Sequence, residues 1–104
     1  MSHHVITCVV ESGRGPAFLE RLAAELGVHS AVFFKSRHAV ADWSGRRAAV
    51  VEGIERDEVA ILIADSRLDE VFLWVHAALA VGEPGGGVIF AHRATRATEI
   101  VMPA

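Results

Sequence analysis

One pattern constrains this chain more than any other: a strand-turn-helix unit written twice. "VITCVVESGRGPAFLERLAAEL" (5–26) and "VAILIADSRLDEVFLWVHAAL" (59–79) each pass from a short apolar run, through a turn with an acid and a serine, into an apolar helical stripe. Runs of that length and β-branched content read as buried strands. In the first unit Pro16 suits the opening turn of a helix, Phe18, Leu19, Leu22 and Leu26 share one face, and Gly27 reads as the residue that ends it. In the second, Ser66 stands three before Asp69 as a capping-box-like start. Leu68, Phe72, Val75 and Leu79 form the stripe, and Gly82 closes it.

The strand of the second unit is "EVAILIAD" (58–65), and the further strand-like runs are "SAVFFKS" (30–36) and "GVIFAHR" (87–93), with "TEIVMP" as a short tail. The order is β-α-β-β-α-β. Right-handed crossovers then set two helices on one face of a four-stranded antiparallel sheet, an α+β, ferredoxin-like sandwich formed by a single domain spanning 1–104. Between the second and third strands, "RHAVADWSGRRAAVVEGIERD" (37–57) has weak periodicity and mixes charge with glycine, so it reads as a hairpin-like excursion or a mobile loop. Phe33, Ile61, Ile63, Val88 and Phe90 give the strands apolar residues on more than one face, which implies a closed oligomer.

Composition narrows the function classes. A net charge of −3 supplies no basic surplus for nucleic acid. No apolar run reaches the length of a membrane span, and the N-terminus lacks the pattern of a signal peptide. The single cysteine, Cys8, lies in an apolar strand and reads as a buried, inert thiol, which fits a reducing cytoplasm. Asp65, Asp69 and Glu70 gather at a helix start, where the helix dipole alone accounts for them. No Ser/His/Asp arrangement is evident. Acylphosphatase chemistry needs an asparagine beside its arginine, and this chain has no Asn, so the expectation is a protein that is not an enzyme.

The stretch "VGEPGGGVIF" (81–90) places Gly85, Gly86 and Gly87 directly before a strand. Two readings stand: a flexible connection, or an anion nest whose bare backbone N–H groups cradle a phosphate. It is not a P-loop, because no Lys-Ser/Thr follows and the glycines precede a strand.

Taken with "VITCVVESGRG", "GVHSAVFFKSR", "VAILIAD" and "GEPGGGVIF…RATEIVMP", this turn makes the chain resemble the PII-like signalling proteins over nearly its whole length. The "PGGG" turn and the tail look most similar to divergent branches linked to inorganic-carbon uptake, carboxysomes or metal efflux. The resemblance implies a homotrimer that binds adenine nucleotides in clefts between subunits and contacts a target, such as a membrane transporter or an enzyme, through a T-loop at about 37–57. It implies an adenine pocket at Ser30, Ala31, Val32 and Leu62, and a phosphate turn at Gly85, Gly86 and Gly87.

The chain departs from the family pattern where Val88 replaces a phosphate-binding lysine and where Glu99 and Val101 replace a basic pair. Arg93 and Arg96 lie nearby as substitutes. With no tyrosine in the chain, uridylylation of the loop is not expected. The weaker grip on triphosphate makes ADP, AMP or cyclic AMP as plausible as ATP, and bicarbonate is a further possible effector.

Arg37, at the junction of strand and loop, is a phosphate candidate because a guanidinium donates two parallel hydrogen bonds; Arg14 is a weaker one. Trp43, Arg46 and Arg47 in the excursion are candidates for partner contact, whereas Trp74 reads as packing. His3 and His4 read as a disordered end. His29, His38, His76 and His92 show no metal-ligand spacing, but ligands converging across subunits would make a metal-binding, CutA-like trimer the alternative. A PII-like scaffold that binds protein alone is the third reading.

Overall fold

The computed structural model describes residues 2–42, 49–80 and 88–99, and the side chains of residues 2–37, 55–80 and 88–99. The elements are β1 (His3–Glu11), α1 (Gly15–Leu26), β2 (Ala31–Asp42), β3 (Ala49–Ala64), a 3₁₀ turn (Asp65–Arg67), α2 (Leu68–Ala78) and β4 (Ile89–Ala94). The strands form one antiparallel sheet in the order β2-β3-β1-β4. The ferredoxin-like βαββαβ order expected from the repeated unit is the one observed.

Side-chain alternation divides the sheet into two unlike faces. Ile6 and Cys8 of β1 and Val59, Ile61 and Ile63 of β3 meet Phe18 and Leu22 of α1 and Val71 and Val75 of α2 in the core. Ile61 and Ile63 thus belong to the helix side. Trp74 packs against Phe18 at 5.8 Å between ring centroids and lies under the Arg21 guanidinium at 5.0 Å, a packing role as expected. On the opposite face Val32 (52% exposed), Phe34 (49%) and Phe90 (50%) are uncovered, and Val88 (58%) precedes β4 equally open.

Several boundaries differ from the expected ones. β2 and β3 continue well beyond 36 and before 58, pairing from Ala31↔Ile61 to Asp42↔Ala49 with an irregularity between His38 and Val40. The hairpin alternative therefore describes much of 37–57. Residues 49–55 of β3 pair only with β2, because β1 ends at Glu11↔Arg56. This two-stranded arm runs roughly 20 Å past the sheet.

His3 and His4 are the first residues of β1 rather than a disordered end. Ala64 and Ile63 on one side and Ala94 and Arg93 on the other offer both of them backbone partners. The α1 boundaries follow local chemistry: Pro16 sits in the first turn, and Gly27 adopts φ 65°, its N–H bonded to the Ala23 carbonyl. The start of α2 does not: Arg67 occupies the N-cap position without a side-chain cap, because the 3₁₀ turn takes up Asp65–Arg67 and displaces the capping box. The helix ends at Ala78, before Gly82, and Ala80 rather than a glycine takes the positive φ of 49°.

Candidate functional site

The antiparallel register brings the start of β1, the start of β2, the end of β3 and the end of β4 to one end of the sheet. Backbone and side chains knit this near end together. The Leu62 N–H donates to the Ser30 carbonyl at 2.8 Å, the Asp65 N–H donates to the Ser2 carbonyl at 3.1 Å, and His4 Nδ1 lies 2.6 Å from Asp65 Oδ1. Arg67 spans two elements. Its Nη2 donates to the carbonyl of Leu26, the last residue of α1, and its Nε to Glu70 Oε1, both at 2.8 Å. A cation is favourable at that helix end, where the dipole is negative.

These contacts leave a pocket of about 150 Å³ lined by Gly27, Val28, His29, Ser30, Leu62, Ile63, Arg67 and Glu99. Two of the four residues of the expected adenine pocket, Ser30 and Leu62, line it. Ala31 is half-buried and pairs with Ile61, whereas the Val32 side chain is exposed on the open sheet face. Arg67 had no sequence signal as a pocket residue, and Glu99 stood out only through the resemblance, as one of the two positions where the family's basic pair is replaced. Arg67 reaches the pocket through the 3₁₀ turn, and Glu99 through the segment after β4, which brings Glu99 to 3.9 Å from His3 Nε2.

The remaining candidates lie elsewhere. Arg37 pairs with Glu55 on the arm side of the sheet, six positions from Ala31 and so roughly 20 Å away along β2. Arg93 pairs with His4 on edge strand β4, and Arg93 and Arg96 are both exposed. Edge strands β2 and β4 stand three strand spacings apart, roughly 14 Å. One chain therefore does not converge Ser30, Arg37 and Arg93 on a single pocket. Gly85, Gly86, Gly87, Trp43, Arg46, Arg47 and Val101 lie outside the described residues.

At the far end of the sheet the first strand-to-helix turn is already occupied by an anion of the protein itself. The N–H groups of Gly13 and Gly15 donate to Asp57 Oδ2 at 3.0 and 2.9 Å, and Lys35 Nζ donates to Asp57 Oδ1 at 3.0 Å and to Ser12 Oγ at 3.3 Å. The Asp57 side chain is fully buried, and the Gly15 N–H, with help from Lys35 and Gly13, holds its carboxyl below the usual range. By sequence alone Asp57 falls at the end of a loop; instead it anchors the base of the arm to the start of α1. Arg14, in the same turn, is exposed and pairs with Glu11 at 3.1 Å.

Burial pushes the Cys8 thiol up to about 12, so at neutral pH it is held as the protonated, weakly nucleophilic form. Among the described residues no three His, Cys, Asp or Glu side chains converge as a metal site. No described helix is long and apolar enough to cross a membrane.

No family model matches the sequence, and no curated protein does. Solved structures are similar in fold. GlnK of B. subtilis in its complex with ATP superposes with a TM-score of 0.69 at 19% identity, covering 90% of this chain and 83% of GlnK. A second structure of B. subtilis GlnK gives 0.63 at 19% identity, covering 91% of this chain and 87% of that one. GlnK is a PII protein, and the fold of this chain is PII-like.

Proposed function

We propose that the chain is a PII-like regulatory protein, a sensor rather than an enzyme, that binds an adenine nucleotide where two protomers of a homotrimer meet. The observation that carries the reading is the pocket at Ser30 and Leu62, at the end of the sheet where the resemblance expects an adenine, on a fold shared with a protein solved in complex with ATP. Two features favour a shared site. The uncovered face bearing Val32, Phe34 and Phe90 suits burial against further copies of the chain. Arg37 lies roughly 20 Å from Ser30 along β2, and Arg93 stands on the opposite edge strand β4, so a neighbour is needed to bring an arginine and the pocket together.

In this reading the base enters the pocket, and phosphates extend toward the Gly85–Gly87 turn and a nearby arginine, Arg37, Arg93 or Arg96. The arm is the effector. A nucleotide that binds better to one state of its tip, with Trp43, Arg46 and Arg47, shifts the population of that state and with it the affinity for a partner protein, a transporter or an enzyme. The setting is cytoplasmic.

Calorimetric titration with ATP, ADP, AMP, cyclic AMP and bicarbonate, and in parallel with Zn²⁺ and Cu²⁺, tests the reading. Saturable binding of at least one adenine nucleotide, at one per protomer, is expected. Metal binding without nucleotide binding would favour the CutA-like alternative, and no response from an intact oligomer would favour the protein-binding scaffold.

A further inference from the structure

We infer that Glu99 is the specificity residue of the pocket, accepting a hydrogen bond from a donor on the uncharged, nucleoside end of the ligand; the inference rests on the adenine-nucleotide reading above. At about 150 Å³ the pocket is well below the roughly 300 Å³ of a typical small-molecule cleft, so it takes part of a nucleotide and not the whole. Val28, Leu62 and Ile63 give it apolar walls suited to a flat heterocycle.

Its two ionic side chains differ in what they have left to offer. Arg67 donates Nε to Glu70, whose carboxylate offsets its charge, and an Nη2 N–H to the Leu26 carbonyl; what its guanidinium has left is donors only, for acceptor atoms of a ligand. The Glu99 carboxylate lies 3.9 Å from His3 Nε2, too long for a hydrogen bond. His3 Nε2 is itself buried without a hydrogen-bond partner among the described residues.

An ionised carboxylate accepts hydrogen bonds and donates none. It also repels phosphate. The ligand group beside Glu99 is therefore a donor and not a phosphate. A nucleoside has two such sources, the ribose hydroxyls and the exocyclic amine of adenine. Either fixes the ligand with its base in the pocket and its phosphates pointing away from Glu99.

The test is calorimetry on the intact protein with ATP, AMP, adenosine, 2′,3′-dideoxyadenosine and purine riboside, which lacks the exocyclic amine. Wild type is expected to bind adenosine and AMP and to lose about tenfold or more against one analogue, the dideoxy compound if the donor is ribose and purine riboside if it is the amine. Glu99→Ala should abolish that discrimination and weaken adenosine by a similar factor. Wild type that binds ATP but treats all three nucleosides alike overturns the role of Glu99 while leaving the nucleotide reading standing; so does Glu99→Ala with unchanged discrimination. Failure of ATP, AMP and adenosine alike to bind overturns both.

Discussion

Gly15→Ala isolates the contact that fastens α1 to the base of the arm. A Cβ at Gly15 would lie 2.6 Å from Phe33 Cδ2, 2.7 Å from Phe33 Cγ and 2.9 Å from Asp57 Oδ2. Clearing Cγ and Cδ2 takes a change of the Phe33 χ1 rotamer against its packing, and the Asp57 oxygen is the acceptor of the Gly15 N–H itself. Overpacking of this kind costs about 1–3 kcal/mol. Displacement of the carboxylate from two N–H donors places the expected loss in the upper half of that range. For a chain of this size each kcal/mol corresponds to roughly 4–8 °C in Tm, so a fall of roughly 8–24 °C follows.

Gly27→Ala is the matched control. Gly27 has φ 65°, and a methyl group there would find nothing within 4 Å, so an alanine meets only the left-handed backbone penalty, about 1–2 kcal/mol. Urea unfolding followed by circular dichroism, at one protein concentration because oligomers shift apparent stability, measures both. Gly15→Ala should be the more destabilising, and its cost should shrink by more than about 1 kcal/mol in a Phe33→Ala background, since the two sites touch. A loss under about 0.5 kcal/mol, or a cost unchanged by Phe33→Ala, would refute the crowding argument.

Three further outcomes follow from the same contacts. Asp57 has a folded pKa below its ordinary 3.8, so its contribution is present above that value and is lost as pH falls through the folded one. Urea titrations between about pH 2 and 5 should therefore show a shallower acid limb for Asp57→Asn than for wild type. Cys8, raised from 9.0 to about 12, contributes fully below pH 9.0 and loses that contribution as pH rises toward about 12. At pH 8 a thiol reagent should react with Cys8 only after urea unfolds the chain. Phe34→Asp and Phe90→Asp, on the uncovered sheet face, should lower the sedimenting mass while leaving the far-UV dichroism of the fold in place.

What is legible in the sequence is chemistry carried out by near neighbours. Pro16 and Gly27 bound α1 because each acts on its own turn, and the apolar runs announce four strands in the right order because strand burial is a local composition signal. Ser30 and Leu62 fall together in an expected pocket only through the family resemblance. The misses are long-range. His3 and His4 are strand because β3 and β4 flank them, and neither neighbour is visible from the N-terminus itself.

Asp57 looks like the end of a loop in the sequence, because its partners are the N–H groups of Gly13 and Gly15, more than forty positions earlier. Ser66 has the spacing of a cap, yet a 3₁₀ turn that positions Arg67 over the end of α1 takes its place. Glu99 is marked in the sequence only through the family resemblance, as a position of the basic pair, and its place in the pocket depends on the path of the segment after β4, which spacing along the sequence does not encode.

Native mass spectrometry in the presence of ADP or ATP confronts the idea of a ligand held jointly by neighbouring chains in a single spectrum. A trimer carrying up to three nucleotides is expected, with no nucleotide on any monomer that dissociates. A monomer that retains nucleotide, or a trimer that stays empty at saturating concentrations of both, would contradict it.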